Sequence, residues 1–329
     1  MNYQSIGLDM EPNDTTHRLF EPQALIPTRW LTLAVSASGA VVLGLMIHNR
    51  LAISAHDWGF PALVAMCALL AGLRVWARDA ATLWQSRCRD FGEHGLLLIA
   101  ICTLGGVASY EAAGETTGFV DPMLARLDGC LHFDWLSWYT MVVRHPVLQY
   151  LGAAAYGTIY VSPWAVVGWL AWTGQRAQAR RFLLTFWLAA VFTLALFPLF
   201  PAKGALEYLW HGPIPYMPTN GLYQGALIPA LRAHTVDAIH LGSLRGLVCA
   251  PSFHTASATI FIATAWSDLR LRRVLVPMNV AMLLSTPVEG THYLSDMVMG
   301  LAVALVAIAL ARAGSDWLTR WALRPGARI

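Results

Sequence analysis

Apolar residues in this chain fall in long unbroken runs, with neither the narrow stripe of a soluble amphipathic helix nor the alternation of a half-buried strand. Eight runs stand out, at 31–47, 60–75, 95–112, 147–172, 182–200, 252–266, 274–288 and 294–312. A helix needs about 20 mostly apolar residues to cross the hydrocarbon core of a bilayer. The pattern therefore predicts an all-α integral membrane protein with about eight transmembrane helices. The sixth and seventh runs are short, and the eighth carries Asp296 near its start. Two long connections separate the runs. One, 111–146, holds Phe133-Asp-Trp-Leu-Ser-Trp-Tyr139. Aromatic residues such as Trp135, Trp138 and Tyr139 settle at membrane–water interfaces, so a helix lying along the surface is predicted there. The other, 201–249, includes Gly212-Pro-Ile-Pro-Tyr-Met-Pro218 and is predicted to be irregular, able to cover a site. No internal repeat or low-complexity tract is present.

Composition leaves little room for a soluble fold. Of 329 residues, 57% are hydrophobic and 12% charged, where a soluble domain carries about a quarter charged residues. Residues 1–29 are polar, contain Glu11, Asp14 and Glu21, and lack the basic start and apolar run of a cleaved signal peptide. The net charge of +3 comes from basic residues scattered over connecting loops. No continuous basic face exists to bind nucleic acid. Cys67, Cys88, Cys102, Cys130 and Cys249 show neither metal-ligand spacing nor a disulfide framework.

Basic residues in the loops set an orientation. With both termini on one side, that side receives 16 of the 22 Lys and Arg residues. The other side keeps Arg50, Arg126, Arg144, Lys203, Arg232 and Arg245. Both termini are thus expected in the cytoplasm, in an inner (cytoplasmic) membrane.

This orientation brings three polar segments to the outer face. The first is Phe197-Pro-Leu-Phe-Pro-Ala-Lys203, which ends in the single lysine of the chain. The second runs from Arg245 to Pro251-Ser252-Phe253-His254. The third is Ser285-Thr-Pro-Val-Glu-Gly-Thr-His292-Tyr-Leu-Ser-Asp296. His292 and Asp296 are four apart and share a helix face. A carboxylate on one ring nitrogen fixes the tautomer and leaves the other nitrogen free to attack. Taken alone, the pair also fits a solvated helix end. Ser252 suits an N-cap, and the free amides behind it favour an anion, with His254 beside them as a proton donor. Lys203 and Arg245 are positioned to neutralise phosphate oxygens; singly, each also reads as a side chain snorkelling to headgroups.

Taken together, the segments resemble the membrane phosphatidic acid phosphatase type 2 superfamily, whose motifs run KxxxxxxRP, PSGH and SRxxxxxHxxxD. Pro251-Ser252-Phe253-His254 matches the second motif with Phe253 in place of Gly. Ser285, His292 and Asp296 match the third, with Thr286 where the Arg belongs. The first is absent as written, because Trp210 stands seven residues after Lys203. The Phe before the histidine, the missing Arg and the His292-Tyr293 pair look like the inositol phosphorylceramide synthase branch. Phe197 to Lys203 approximates that branch's Phe-Pro-x-x-Pro-Pro-Arg segment.

The resemblance implies a six-helix catalytic bundle at 147–312. Before it would come a cytoplasmic tail (1–29), extra N-terminal spans (30–113) and an outer interfacial segment (114–146); a cytoplasmic tail (313–329) would follow. It implies His292 as nucleophile forming a phosphohistidine, Asp296 orienting it, and His254 protonating the leaving alcohol. Lys203, Arg245, Ser252, Phe253 and Ser285 would surround the phosphate, with no metal and no cofactor. The substrate would be a membrane lipid phosphate, with a lipid as possible acceptor. Two other classes compete. One is a metal or haem membrane protein using His254, His292 and others of the 11 histidines; a bundled diiron protein would need Glu-x-x-His pairs on facing helices, and only Glu289-Gly-Thr-His292 occurs. The other is a non-catalytic lipid transporter or scaffold; transporters often show broken helices near the bilayer middle, whereas here the polar residues gather at one surface.

Overall fold

The computed structural model describes residues 26–322; the outermost parts of both predicted tails lie outside them. Thirteen α-helices make up nearly all of the regular structure among these residues. They are α1 (Thr28–Asn49), α2 (Gly59–Trp76), α3 (Leu83–Gly114), α4 (Asp121–Cys130), α5 (Trp135–Arg144), α6 (Pro146–Gly157), α7 (Ser162–Trp172), α8 (Arg176–Leu196), α9 (Ala205–Leu209), α10 (Gln224–Arg232), α11 (Phe253–Ala265), α12 (Leu269–Glu289) and α13 (Leu294–Ala322). The protein is an all-α membrane protein. Helices α1, α2, α3, α8 and α13 are long and apolar enough to cross a bilayer.

The other three predicted runs are helical but less regular. The fourth breaks into α6 and α7 around a short 3₁₀ turn at Thr158–Tyr160, because Pro163 at the second position of α7 offers no N–H to continue α6. α11 has 13 residues, about 20 Å of helix at 1.5 Å per residue. α12 carries Pro277 and Pro287. The connection 201–249 is more ordered than expected. It forms α9, α10 and a two-residue strand, Ala238–Ile239, paired in parallel with Ala52–Ile53.

Side-chain caps mark several helix starts, as the orphan amides there require. Thr82 and Gln85 form a reciprocal capping box on α3. Asp134 caps α5, Ser252 caps α11 and Asp268 caps α12.

Helices α6, α7, α8, α11, α12 and α13 pack as one bundle; α3 lies against α7 and α8, and α1 and α2 lie on α3. Fully buried alanines (Ala189, Ala256, Ala258, Ala304, Ala307) let the backbones approach. Phe182, Phe186 and Phe261 fill the space between α8 and α11. The arginine-rich ends of the helices meet at one end of the bundle. There Arg176 bonds Asp90 at 2.5 Å, Arg180 bonds Glu93 at 3.1 Å, and the Trp169 indole donates to Asp268 at 2.8 Å. The starts of α11 and α13 and the end of α12 converge at the opposite end.

The aromatic segment after α4 does form a helix, α5, with Trp135 and Tyr139 turned inward and Trp138 half-buried. Trp135 and Tyr139 are buried against α12 and the loop beyond α9. The Trp135 indole N–H donates to the carbonyl oxygens of Pro287 (2.9 Å) and His292 (3.1 Å). The end of a helix leaves its last carbonyls unfilled, and Trp135 serves one of them.

Candidate functional site

Ser252 starts the first wall of the site. Its backbone is extended, and its hydroxyl oxygen accepts from the Thr255 amide at 3.3 Å. The amides of Phe253 and His254, first and second in α11, have no acceptor among the described residues. Two open N–H groups at the positive end of a helix form a ready place for an anion. The Phe253 ring turns into the bundle against Phe186, with centroids 5.5 Å apart. Its backbone amide is therefore what it offers an anion.

His292 stands in the tight turn between α12 and α13. Gly290 ends α12, and Thr291 adopts a left-handed backbone with φ of 55°. A Cβ on Gly290 would lie 2.5 Å from Cδ2 of His292 and 2.9 Å from Cε2 of Tyr156, so only glycine lets both rings sit this close. One turn later Asp296, fully buried, places Oδ1 at 2.9 Å from His292 Nδ1. Its other oxygen accepts from the Tyr293 amide (2.8 Å) and the Cys249 thiol (3.5 Å). A carboxylate only accepts, so Nδ1 carries the proton and the Nε2 lone pair is free.

His254 and His292 come together, with ring centroids 6.0 Å apart and planes at 58°. Two approaches of roughly 3–3.5 Å to a shared reacting atom span such a gap. Tyr156, at the end of α6, stacks on His254 at 4.1 Å and 15°, its hydroxyl 3.4 Å from Nδ1. The two walls are joined through the backbone, because the Ser252 amide donates to the Asp296 carbonyl at 3.1 Å.

The other expected phosphate ligands make different contacts. Lys203 Nζ lies 3.6 Å from a Glu207 oxygen and 5.3 Å from the centre of the Phe119 ring. With Glu207, Tyr208, Leu209 and His211 it lines a separate open cavity of about 440 Å³. The Arg245 guanidinium lies over the Tyr223 ring at 4.7 Å. The Ser285 hydroxyl donates to the Met282 carbonyl of its own helix at 2.9 Å. None of these three contacts joins the two imidazoles to a cation or hydroxyl. Beside the rings, the amides of Phe253 and His254 stay open among the described residues.

Glu289, next to the histidine turn and 1% exposed, fastens the loop beyond α9. It accepts from the Tyr216 hydroxyl (2.8 Å) and from the amide and hydroxyl of Thr219 (3.0 and 2.7 Å). Burial and this bond to a carboxylate push the Tyr216 phenol above its usual range. The Tyr139 hydroxyl donates to the Tyr216 carbonyl at 2.7 Å. Cys130 and Cys249 are both free thiols, one exposed and one buried. Cys249, His292 and Asp296 have donor atoms within 4.8 Å of one another, and hydrogen bonds join the three.

Tyr156, Trp135, Cys249 and Glu289 were not among the residues the motifs point to. Of these, Glu289 carries a sequence signal: it is a carboxylate directly after the apolar run 274–288, and such a group needs a partner.

Fold and site together define an all-α membrane protein with two facing imidazoles, one held by a buried carboxylate, beside a helix start with open amides. The PAP2 superfamily model matches residues 122–310, more than half of the chain, and the chain belongs to that superfamily. Its members are generally phosphatases and phosphotransferases, and this is an enzyme of that type. No curated protein matches the chain, and no solved structure does.

Proposed function

We propose that the enzyme cleaves a lipid phosphate ester or diester at the outer membrane face through a phosphohistidine on His292. The observation that carries this reading is the His292 Nδ1–Asp296 bond of 2.9 Å with His254 6.0 Å away. In the first step Nε2 of His292 attacks phosphorus. The bond to the lipid oxygen breaks, and His254 gives that oxygen its proton. As the ring becomes cationic, Asp296 offsets the new charge. Charge on the phosphoryl oxygens is met by the amides of Phe253 and His254. In the second step His254 takes a proton from water or an acceptor hydroxyl, whose oxygen displaces His292 from phosphorus.

One feature favours a second reading, transfer of a phospho-headgroup to a lipid acceptor as in the inositol phosphorylceramide synthase type. The loop fastened by Glu289 and Tyr139 covers the histidine turn, and His292 is 3% exposed. Excluding water favours a bound acceptor in the second step. The outer-face assignment rests on the uneven distribution of arginines.

The test is turnover of phosphorus-labelled lipids by the purified protein in vesicles. The panel is phosphatidic acid, polyprenyl diphosphate, phosphatidylinositol and a sphingoid phosphate, each with and without ceramide or diacylglycerol. Vanadate is expected to inhibit and EDTA to leave activity unchanged. Acid-labile label is expected on the wild-type protein and absent from His292→Ala, which should lose more than about a thousandfold in kcat, the scale of losing a nucleophile. Full activity in His292→Ala would remove the mechanism.

A further inference from the structure

Two helix starts meet at the site, yet only one has open amides. The amides of Leu294 and Ser295, at the start of α13, donate to the two carboxylate oxygens of Asp128 at 3.0 and 2.8 Å. Asp128 lies 166 residues earlier in the chain, on α4, and is buried. It fills the capping role that an adjacent Ser or Asp normally performs. Its charge also offsets the positive end of α13. Seven residues before it, two turns along the same face of α4, Asp121 is buried as well. Its oxygens accept from the amides of Lys203 (3.0 and 3.1 Å) and Gly204 (3.1 Å) and from the Tyr293 hydroxyl (2.9 Å).

These contacts bracket the nucleophile. On its N-terminal side, the Ala205 amide donates to the Thr291 carbonyl at 2.7 Å, and the Lys203–Gly204 turn leading into it is held by Asp121. A Cβ on Gly204 would lie 2.5 Å from the Thr291 hydroxyl oxygen, so the turn lies flat on the left-handed Thr291. On its C-terminal side, Tyr293, Leu294 and Ser295 are all tied to the two α4 carboxylates. Between them, the His292 carbonyl is taken by Trp135.

We propose that Asp121 and Asp128 are positioning residues for the phosphoryl-transfer step, holding the His292 turn and the start of α13 so that Nε2 faces His254. They also fix where the anion goes. Because Asp128 occupies the amides of α13, the amides of α11 remain the open seat for phosphate. This rests on the reading of His292 as nucleophile.

The experiment compares Asp121→Asn, Asp128→Asn and Tyr293→Phe with wild type in vesicles, using whichever panel lipid the wild type turns over. Replacing a carboxylate oxygen of Asp128 by an amide NH₂ sets donor against donor at one α13 amide. A misplacement near 1 Å costs about a hundredfold in rate. Asp121→Asn and Asp128→Asn are therefore expected to lower kcat about 10- to 100-fold, with KM within about threefold. Label on His292 should form correspondingly slowly. Tyr293→Phe, which removes one hydroxyl and keeps the ring, is expected to fold and to lower kcat about three- to tenfold, the scale of one hydrogen bond. Folded Asp variants with wild-type kcat, or a loss seen only in KM, would overturn the proposal. If the Asp variants do not fold, Tyr293→Phe decides, and wild-type kcat there overturns it. A wild-type enzyme that turns over lipid without ever carrying label on His292 would instead sink the phosphohistidine reading, an outcome read from the wild-type arm alone.

Discussion

The closest backbone approach in the site lies at Gly300, one turn along α13 from Asp296. A Cβ built there would fall 2.2 Å from the Ser252 carbonyl oxygen and 3.2 Å from Cβ of Thr255. Such atoms do not come nearer than about 3.0 Å, so Gly300→Ala must drive the start of α11 and α13 apart by roughly 0.8 Å. Ser252 and Asp296 are joined by the amide-to-carbonyl bond between these same segments, so the two imidazoles separate with them. Overpacking of this kind costs about 1–3 kcal/mol, while exchanging Gly for Ala inside a helix returns up to about 1 kcal/mol. The net loss of stability is about 0–3 kcal/mol. A misplacement near 1 Å, by contrast, costs about a hundredfold in rate. The expected result is a folded protein with kcat reduced 30- to 100-fold on the active lipid. Gly314→Ala on the same helix meets nothing within 4 Å and serves as control, with unchanged kcat and equal or higher thermal stability. A Gly300→Ala enzyme with kcat within threefold of wild type would refute the claim that contact of these two backbones sets the distance between the rings.

Two further substitutions probe the walls of the site. Tyr156→Phe keeps the ring stacked on His254 and is expected to retain most activity. Tyr156→Leu loses the stack and should lower kcat about tenfold, the scale of an aromatic pair; equal activities in both variants would assign Tyr156 to packing alone. Glu289→Gln leaves one oxygen for three donors from Tyr216 and Thr219. It is expected to speed proteolysis within 211–222 and, if an acceptor lipid is used, to raise the fraction of label lost to water; an unchanged product ratio and digestion pattern would show that the loop is held elsewhere.

The helices were legible in the sequence because a bilayer demands one simple pattern, and all eight apolar runs are helical. The site histidines were legible because their motifs are local. His292 and Asp296 share a helix face by spacing alone, and Ser252 behaves as the N-cap its flanking residues suggest. What spacing does not carry is the choice among side chains brought together from far apart. Trp135 and Tyr139 have the amphipathic rings of interface residues, but the unfilled carbonyls at the end of α12 and the loop beyond α9 gave their polar ends better partners. Lys203 stands out as the sole lysine, and the structure adds a partner for it, Glu207 one turn away at 3.6 Å. The α4 carboxylates fill amides 82 to 167 residues distant, a pairing that no local pattern announces.

The superfamily match begins at residue 122, but the molecule is not jointed there. Asp90 and Glu93 of α3 neutralise Arg176 and Arg180 of α8. Beyond the other end of α3, Thr116 and Gly118 accept from Arg232, and a two-residue β pair stitches 52–53 to 238–239. The region shared with relatives is thus bolted at top and bottom to helices outside the shared region. A chain cut to the matched segment would keep His254 and His292 but leave Arg176 and Arg180 without the carboxylates that pair with them, so the family's portion leans on the helix that precedes it.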